Sequence, residues 1–173
     1  MITIVVATDR NGALGVKNRI PWRIKSDLVR LARLTRDQTV IVGRKSYDSM
    51  VWYYDRSGKA MPGKTYLVVT RNNNYNPAHD NAMVVHSMQE ALTKAGELGN
   101  DTFVIGGGSI FNAALPLADR VVLTVVQTAV DGEVDAYFAK PGAPEWQEVS
   151  REHLDASDTD EFATEVITLE RAK

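Results

Sequence analysis

The chain has 173 residues, 44% of them hydrophobic, enough for one domain with a full core. A formal net charge of -2 lacks the basic surplus that nucleic acid or an anionic membrane surface calls for. Without cysteine, and with three scattered histidines (His79, His86, His153), it has no disulfide framework, no thiol nucleophile and no metal-ligand spacing, so no metal is expected.

The opening MITIVVATDR reads directly as a strand rather than a targeting segment, and no apolar run reaches the length of a membrane span. A cytoplasmic protein with one domain over residues 1–173 is expected. The β-branched run at 2–7 has the pattern of a strand buried in a parallel sheet. A long loop follows to Pro21 and Trp22. Asp27 then opens an amphipathic stretch with Leu28, Leu31, Ala32 and Leu34 at helical spacing, and Ser26 or Asp27 is the expected N-cap. TVIVG at 39–43 is a second buried strand, followed by a short helical piece, RKSYDSM. TYLVVT at 65–70 is a third strand and AMVV at 82–85 a fourth. SMQE at 87–90 is a capping box whose helix continues through Ala91, Leu92, Ala95 and Leu98. TFVI at 102–105 is the fifth strand, then three glycines and a helix through Ile110, Ala114 and Leu115. RVVLTVV at 120–126 is the sixth. EWQEVSREHL and EFATEVITLE alternate polar and apolar residues, which predicts an antiparallel pair at the end. Strands alternating with helices predict a three-layer α/β fold with a mostly parallel sheet.

Glycine clusters carry the chemistry. GKAMPGKT at 58–65 matches the phosphate-loop pattern letter for letter, but Thr65 begins a strand. A loop that delivers its chain into a strand cannot aim a helix N-terminus at a phosphate, so this match is expected to be a surface loop. VIGGGSIFNAAL is better placed, with a strand, three glycines and then a helix. It is not a Rossmann fingerprint, because the third required glycine would fall at Phe111 and no acid ends the next strand. A dinucleotide or phosphate site and a plain tight turn both fit. Gly43, Arg44, Lys45 and Ser46 form a third strand end suited to phosphate, and Thr70 with Arg71 a fourth. Taken together, these strand ends suggest an extended, multi-phosphate ligand. Asp27 is read as a helix cap or, facing a pocket walled by Val5, Leu28 and Leu31, as a desolvated carboxylate that titrates high and holds a cationic heterocycle.

ALGVKNRIPWRIKSDL, VIVGRKSYDSM, MPGKTYLVVTR and FVIGGGSIFNAALPLADRVVLTVV together resemble the dihydrofolate reductase family in order and spacing. The resemblance implies an eight-stranded, mostly parallel sheet with an antiparallel C-terminal strand, flanked by helices. It implies an oxidoreductase of one-carbon metabolism and tetrahydrofolate biosynthesis, an antifolate target, with NADPH as cofactor and a small dihydropterin substrate, expected to be a monomer. Asp27, Trp22 and Thr124 would then be catalytic: Asp27 holds the pterin and promotes N5 protonation, Trp22 binds an ordered water, and Thr124 hydrogen-bonds Asp27. Val5, Val6, Leu28, Leu31, Met50, Met61, Lys64, Ile105 and Phe111 would line the substrate pocket. Ala7, Leu14, Gly15 and Ile20 would serve the nicotinamide, the last three from a mobile loop. Gly43, Arg44, Lys45, Ser46, Thr70, Arg71, Gly106, Gly107, Gly108, Ser109, Ile110 and Phe111 would serve the rest of the cofactor, with a cis peptide at Gly106-Gly107.

The chain departs from the family pattern at several positions. Phe111 stands for a frequent Tyr, Leu31 for a frequent Phe, and the loop between Val51 and Met61 is longer. Glu133 and Asp135 compete for the acid that latches the mobile loop. Lys64 replaces an Arg that grips the substrate's glutamate carboxylate. The leading expectation is reduction of dihydrofolate. The alternatives are a reductase of the same fold acting on a dihydropterin with a different tail or on a ribosylaminopyrimidine, and a non-catalytic nucleotide-binding module.

Overall fold

The computed structural model describes residues 1–16 and 19–173; part of the ALGVKNRIPW motif lies outside them. Its strands are β1 (Ile2–Thr8), β2 (Ala13–Val16), β3 (Thr39–Gly43), β4 (Thr65–Val69), β5 (Ala82–Val85), β6 (Thr102–Val104), β7 (Arg120–Val126), β8 (Val134–Tyr137), β9 (Trp146–Leu154) and β10 (Thr164–Arg171). The helices are α1 (Lys25–Thr35), α2 (Arg44–Ser57), α3 (Met88–Leu98) and α4 (Gly108–Ala114).

Eight strands form one sheet in the order β5-β4-β3-β6-β1-β7-β10-β9, and β2 pairs with β8 in a separate ribbon. Pairing is parallel from β5 through β7. It turns antiparallel at β7–β10 and β10–β9, where the alternating pattern of the last thirty residues predicts a pair. Successive side chains of a strand point to opposite faces, and β1 shows the consequence. Ile4 and Val6 join Ile41, Leu67 and Val104 against Met88, Ala91 and Ala95 of α3 and Phe111 and Ala114 of α4. Val5 points the other way, into a cluster with Leu31 and Leu34 of α1. On that same face Val40, Val42 and Val68 pack on Tyr47 of α2. Helices thus cover both faces, which gives the expected three layers.

Three local expectations need correcting. Helix α1 starts at Lys25 with Ile24 as N-cap and no side-chain cap, so neither Ser26 nor Asp27 caps it. The exposed donors of the first turn are met from a distance instead: Asp160 Oδ1 accepts the Ser26 N–H at 2.9 Å. The segment after Met50 is not a loop but a continuation of α2 to Ser57. No glycine or proline interrupts it before Gly58, which ends it in the left-handed conformation (φ 68°). Arg56 stacks 4.5 Å over Trp52 one turn earlier and supports that extension. The β2–β8 ribbon escapes the sequence pattern because it is short and irregular, with register shifts on both sides of Gly15.

Asp9 anchors this ribbon. It is buried, and Oδ1 accepts the N–H groups of Asn11 and Ala13, each at 2.8 Å, while Oδ2 accepts that of Val130 at 2.9 Å. Asp9→Ala removes the acceptor for these donors. It is expected to destabilise the protein by about 2–3 kcal/mol in urea unfolding. An unchanged urea midpoint would show that water satisfies these donors just as well.

The exposed edge at β9 is charged. Arg151 donates to Glu148 (2.8 Å) and to Glu165 (2.7 Å), and Lys140 to Glu148 (3.2 Å). The hydrogen bonds from Arg151 and Lys140 hold the Glu148 carboxyl down at about 2. Such charges oppose edge-to-edge pairing with another sheet.

Candidate active site

The parallel strands gather their carboxyl ends at one edge of the sheet, where an open α/β sheet binds its ligand. Ala7 lies near the end of β1, Gly43 closes β3, Thr70 follows β4, and Ile105 and Gly106 follow β6. Strands β3 and β6 are neighbours, and the Gly43 N–H donates to Gly106 O at 2.7 Å. A Cβ on Gly43 would lie 3.1 Å from Ile110 and 3.5 Å from Gly106 O, so this approach suits glycine. Gly106 has φ 117°, which L side chains rarely adopt, and the Gly106-Gly107 peptide is cis, as the resemblance implies.

Two helices begin beside this turn. Among the described residues neither α2 nor α4 has a side-chain cap at its N-terminus. Helix α3, by contrast, is capped by Ser87 Oγ, which accepts the Glu90 N–H at 3.0 Å. The Glu90 side chain reaches back to the His86 N–H at 2.7 Å, one residue earlier than a capping box requires. The free first-turn N–H groups and positive dipole end of the 14-residue α2 favour an anion.

Cations stand around the same place. Arg44 Nη1 lies 3.5 Å from Asp48, and its guanidinium 6.0 Å from the centre of the Tyr75 ring, while Tyr75 Oη donates to Asp48 at 2.6 Å. Arg71 and Lys45 are exposed. Ser46 Oγ is 3.5 Å from where a Cβ on Gly107 would be. His86 Nδ1 donates to the Thr70 carbonyl at 2.8 Å and so braces the end of β4. The β2–β8 ribbon lies against the start of α4: a Cβ on Gly108 would meet Ala136 at 2.8 Å and Leu14 at 3.5 Å. A glycine-pinched backbone, an uncapped helix start and Arg44 in its first turn make a donor set that fits an extended diphosphate.

Asp27 joins this edge through β7. Thr124 is paired with Ala7, and its Oγ1 donates to Asp27 Oδ1 at 2.6 Å. Arg30 Nη1 lies 3.3 Å from the same oxygen. Burial pushes the Asp27 carboxyl above its ordinary value, against the pull of the Thr124 hydrogen bond and the Arg30 charge, while Asp160 adds a further upward push. Trp22 is buried with Ile24 and Val126, and Ala7 packs against that group.

The expected pocket residues separate into groups. Leu31 and Ile105 pack against the Val5 cluster, and Ile105, Met50 and Met61 pack against the neighbouring Val40 cluster. Leu28 is exposed, as is Ile20. Val6 faces the opposite side of β1, in the cluster that holds Phe111, so its side chain does not join Val5 and Leu31. Phe111 is buried, edge-on to Phe138 at 5.7 Å, with its ring against Gly106. A Cβ on Gly15 would sit 2.9 Å from Arg19 O, which keeps that turn tight. The backbone of the phosphate-loop match is engaged within the fold: the Gly63 N–H donates to Tyr66 Oη (2.9 Å), the Lys64 N–H to Gln38 O (2.9 Å), and β4 follows. Lys64 itself is exposed, and Glu133 is too. Arg30, Asp160 and His86 are the site residues that the sequence reading misses. Of these only Arg30 left a signal, its spacing of one turn from Asp27.

A strand edge whose donors suit a phosphate, with a part-buried carboxylate beside it, is an arrangement that open α/β nucleotide-dependent enzymes use. The family model for dihydrofolate reductase matches residues 1–171. Dihydrofolate reductase type 3 of Salmonella typhimurium is 30% identical over 173 residues, covering 100% of this chain and 99% of that protein. Dihydrofolate reductase of Staphylococcus haemolyticus is 31% identical over 151 residues, covering 87% and 84%. The solved dihydrofolate reductase of Enterococcus faecalis, complexed with NADP(H) and RAB-propyl, superposes with a TM-score of 0.84 at 23% identity, covering 100% and 97% of the two chains. The chain belongs to the dihydrofolate reductase family.

Proposed function

We propose that this chain reduces 7,8-dihydrofolate to 5,6,7,8-tetrahydrofolate, with NADPH as the donor of the hydride that reaches pterin C6. The observation that carries this reading is Asp27, a partly desolvated carboxylate fixed by Thr124 at the edge where the glycine turn lies. Its role is to accept hydrogen bonds from the pterin's N3 and 2-amino group and, through its negative charge, to favour the N5-protonated heterocycle. Trp22, buried with Ile24 and Val126, would hold an ordered water, as the resemblance implies. Val5, Leu31, Met50, Met61 and Ile105 supply an apolar wall that excludes bulk water, which strengthens the contact with Asp27. Arg44, Ser46, Thr70, Arg71 and the backbone from Gly106 to Ile110 hold the cofactor's phosphates and adenosine.

We propose that it acts as a monomer in the cytoplasm, as the family resemblance implies. Among the described residues no helix is long and apolar enough to cross a membrane. Loss of absorbance at 340 nm on mixing the protein with NADPH and dihydrofolate tests the assignment. No loss with dihydrofolate, but loss with a dihydropterin lacking the glutamate, would move it to the alternative substrate.

That alternative rests on Lys64, an exposed cation at the position where the family carries a gripping Arg. Its backbone is held at both ends, by Gln38 O and by Asn81 Nδ2 at 3.5 Å from the Lys64 carbonyl, so only the head group differs in kind. An ammonium is a compact, strongly hydrated point charge, whereas a guanidinium offers two parallel N–H bonds to a carboxylate. Lys64→Arg is therefore expected to lower the Michaelis constant for dihydrofolate several-fold with turnover nearly unchanged, and Lys64→Met to raise it. A dihydropterin without the glutamate should respond to neither. Steady-state kinetics decides, and two flat responses with dihydrofolate would favour a different tail.

A further inference from the structure

We infer that Arg30 is a positioning residue for Asp27: it joins Thr124 in holding Oδ1 and so fixes the plane of the carboxylate that receives the substrate. Three side chains make the cluster. Thr124 Oγ1 donates to Asp27 Oδ1 at 2.6 Å, Arg30 Nη1 lies 3.3 Å from that oxygen, and the same Nη1 lies 3.5 Å from Thr124 Oγ1. Among the described residues no hydrogen bond reaches Oδ2. The donors come from two elements, α1 and β7, so the carboxylate is held against both rotation and drift. Asp27 and Arg30 are one turn apart on α1, which fixes their separation through the helix itself.

Burial makes the pair matter. The Arg30 and Asp27 side chains are only 11% and 21% exposed, so solvent screens their attraction far less than it would a surface pair. The charged neighbours act in opposite directions. Asp160, in the segment before β10, raises the proton affinity of Asp27, and Arg30 lowers it. Burial acts to raise Asp160 as well, but its hydrogen bonds from the α1 N-terminus and the Arg30 charge hold it below its ordinary value. One guanidinium thus lowers the proton affinity of both carboxylates. A neutral Asp27 could not favour a cationic pterin, and Arg30 favours the ionised form in a place where burial opposes it.

This inference rests on Asp27 being the substrate carboxylate, and the test separates the two claims. The carboxyl resonances of protein labelled with 13C-aspartate are titrated for the wild type, Arg30→Met, Arg30→Gln and Arg30→Lys, without substrate. The Asp27 midpoint is expected to rise by about 1 pH unit or more in the Met and Gln variants and to return at least halfway in the Lys variant. The pH profile of kcat/KM for dihydrofolate is expected to move up by the same amount. An Asp27 midpoint that stays put in Arg30→Met or Arg30→Gln overturns the inference, even if activity or thermal stability falls, because Arg30 would then be a packing residue. If the midpoint moves and the kinetic profile does not, the role of Arg30 stands and the assignment of Asp27 to the substrate fails. Two neutral replacements of different shape guard against one that does not fold.

Discussion

Asp27→Asn is expected to keep the fold and to lose turnover at neutral pH by roughly 10²–10³-fold. The fold survives because Asp160, not Asp27, meets the first-turn donor of α1, and because an amide oxygen still accepts the Thr124 hydroxyl. Turnover falls because an amide carries no charge with which to favour a protonated pterin. Activity should return in part as the pH drops and substrate arrives already protonated. Stability runs the other way. The folded-state carboxyl titrates above its ordinary value of 3.8, so ionising it costs the fold free energy as pH rises through that raised value. The variant should therefore melt no lower than the wild type at pH 7, and any advantage should vanish below about pH 3.8, where both states are protonated. Full turnover of Asp27→Asn at neutral pH would remove Asp27 from the mechanism.

Replacing Arg44 and Arg71 together by alanine is expected to erase most of a preference for NADPH over NADH. A hydrogen bond to a charged group contributes about 1.5–3 kcal/mol, or roughly ten- to a hundredfold in affinity for each arginine. The wild type should thus prefer NADPH by at least about tenfold. Arg44 is the better prepared of the two, since Asp48 holds its guanidinium and Tyr75 holds Asp48. Its single replacement should cost more than that of exposed Arg71. The ratio of Michaelis constants for the two cofactors is the readout, with turnover on NADH as the control for folding. Equal use of both cofactors by the unmodified protein would mean that neither arginine reads the 2′-phosphate.

Much of the sheet was legible because strands buried on both faces leave continuous apolar runs, such as Ile2 to Ala7 and Arg120 to Val126. The false phosphate loop was legible for a related reason: the period of Thr65 to Val69 is that of a strand. What stayed hidden depends on distance along the chain. The acceptor for the first turn of α1 lies 134 residues from Ser26, and Thr124 lies 97 residues from Asp27. No local pattern encodes either pair, and Thr124 was reached only through the family resemblance. The continuation of α2 was hidden differently, because Trp52, Tyr53 and Tyr54 favour neither helix nor strand strongly enough to decide. Arg30 was visible in principle, since oppositely charged residues three apart on a helix face are neighbours.

The central place of β1 has a consequence for how the protein comes into being. Its residues pair with strands synthesised long afterwards: Ile2 lies against Thr102, and Thr3 against Arg120. While the chain is being made, β1 has no sheet partner until β6 and β7 exist, so a nascent chain that ends before Thr102 holds an unpaired apolar strand. Pairings of such long range close slowly, because loop entropy is lost before any contact rewards it. The same late event sets Thr124 beside Ala7 and brings Ile105 to the same edge of the sheet. Closure of the sheet's centre and birth of the site are therefore a single step, and a product that ends before β7 has neither.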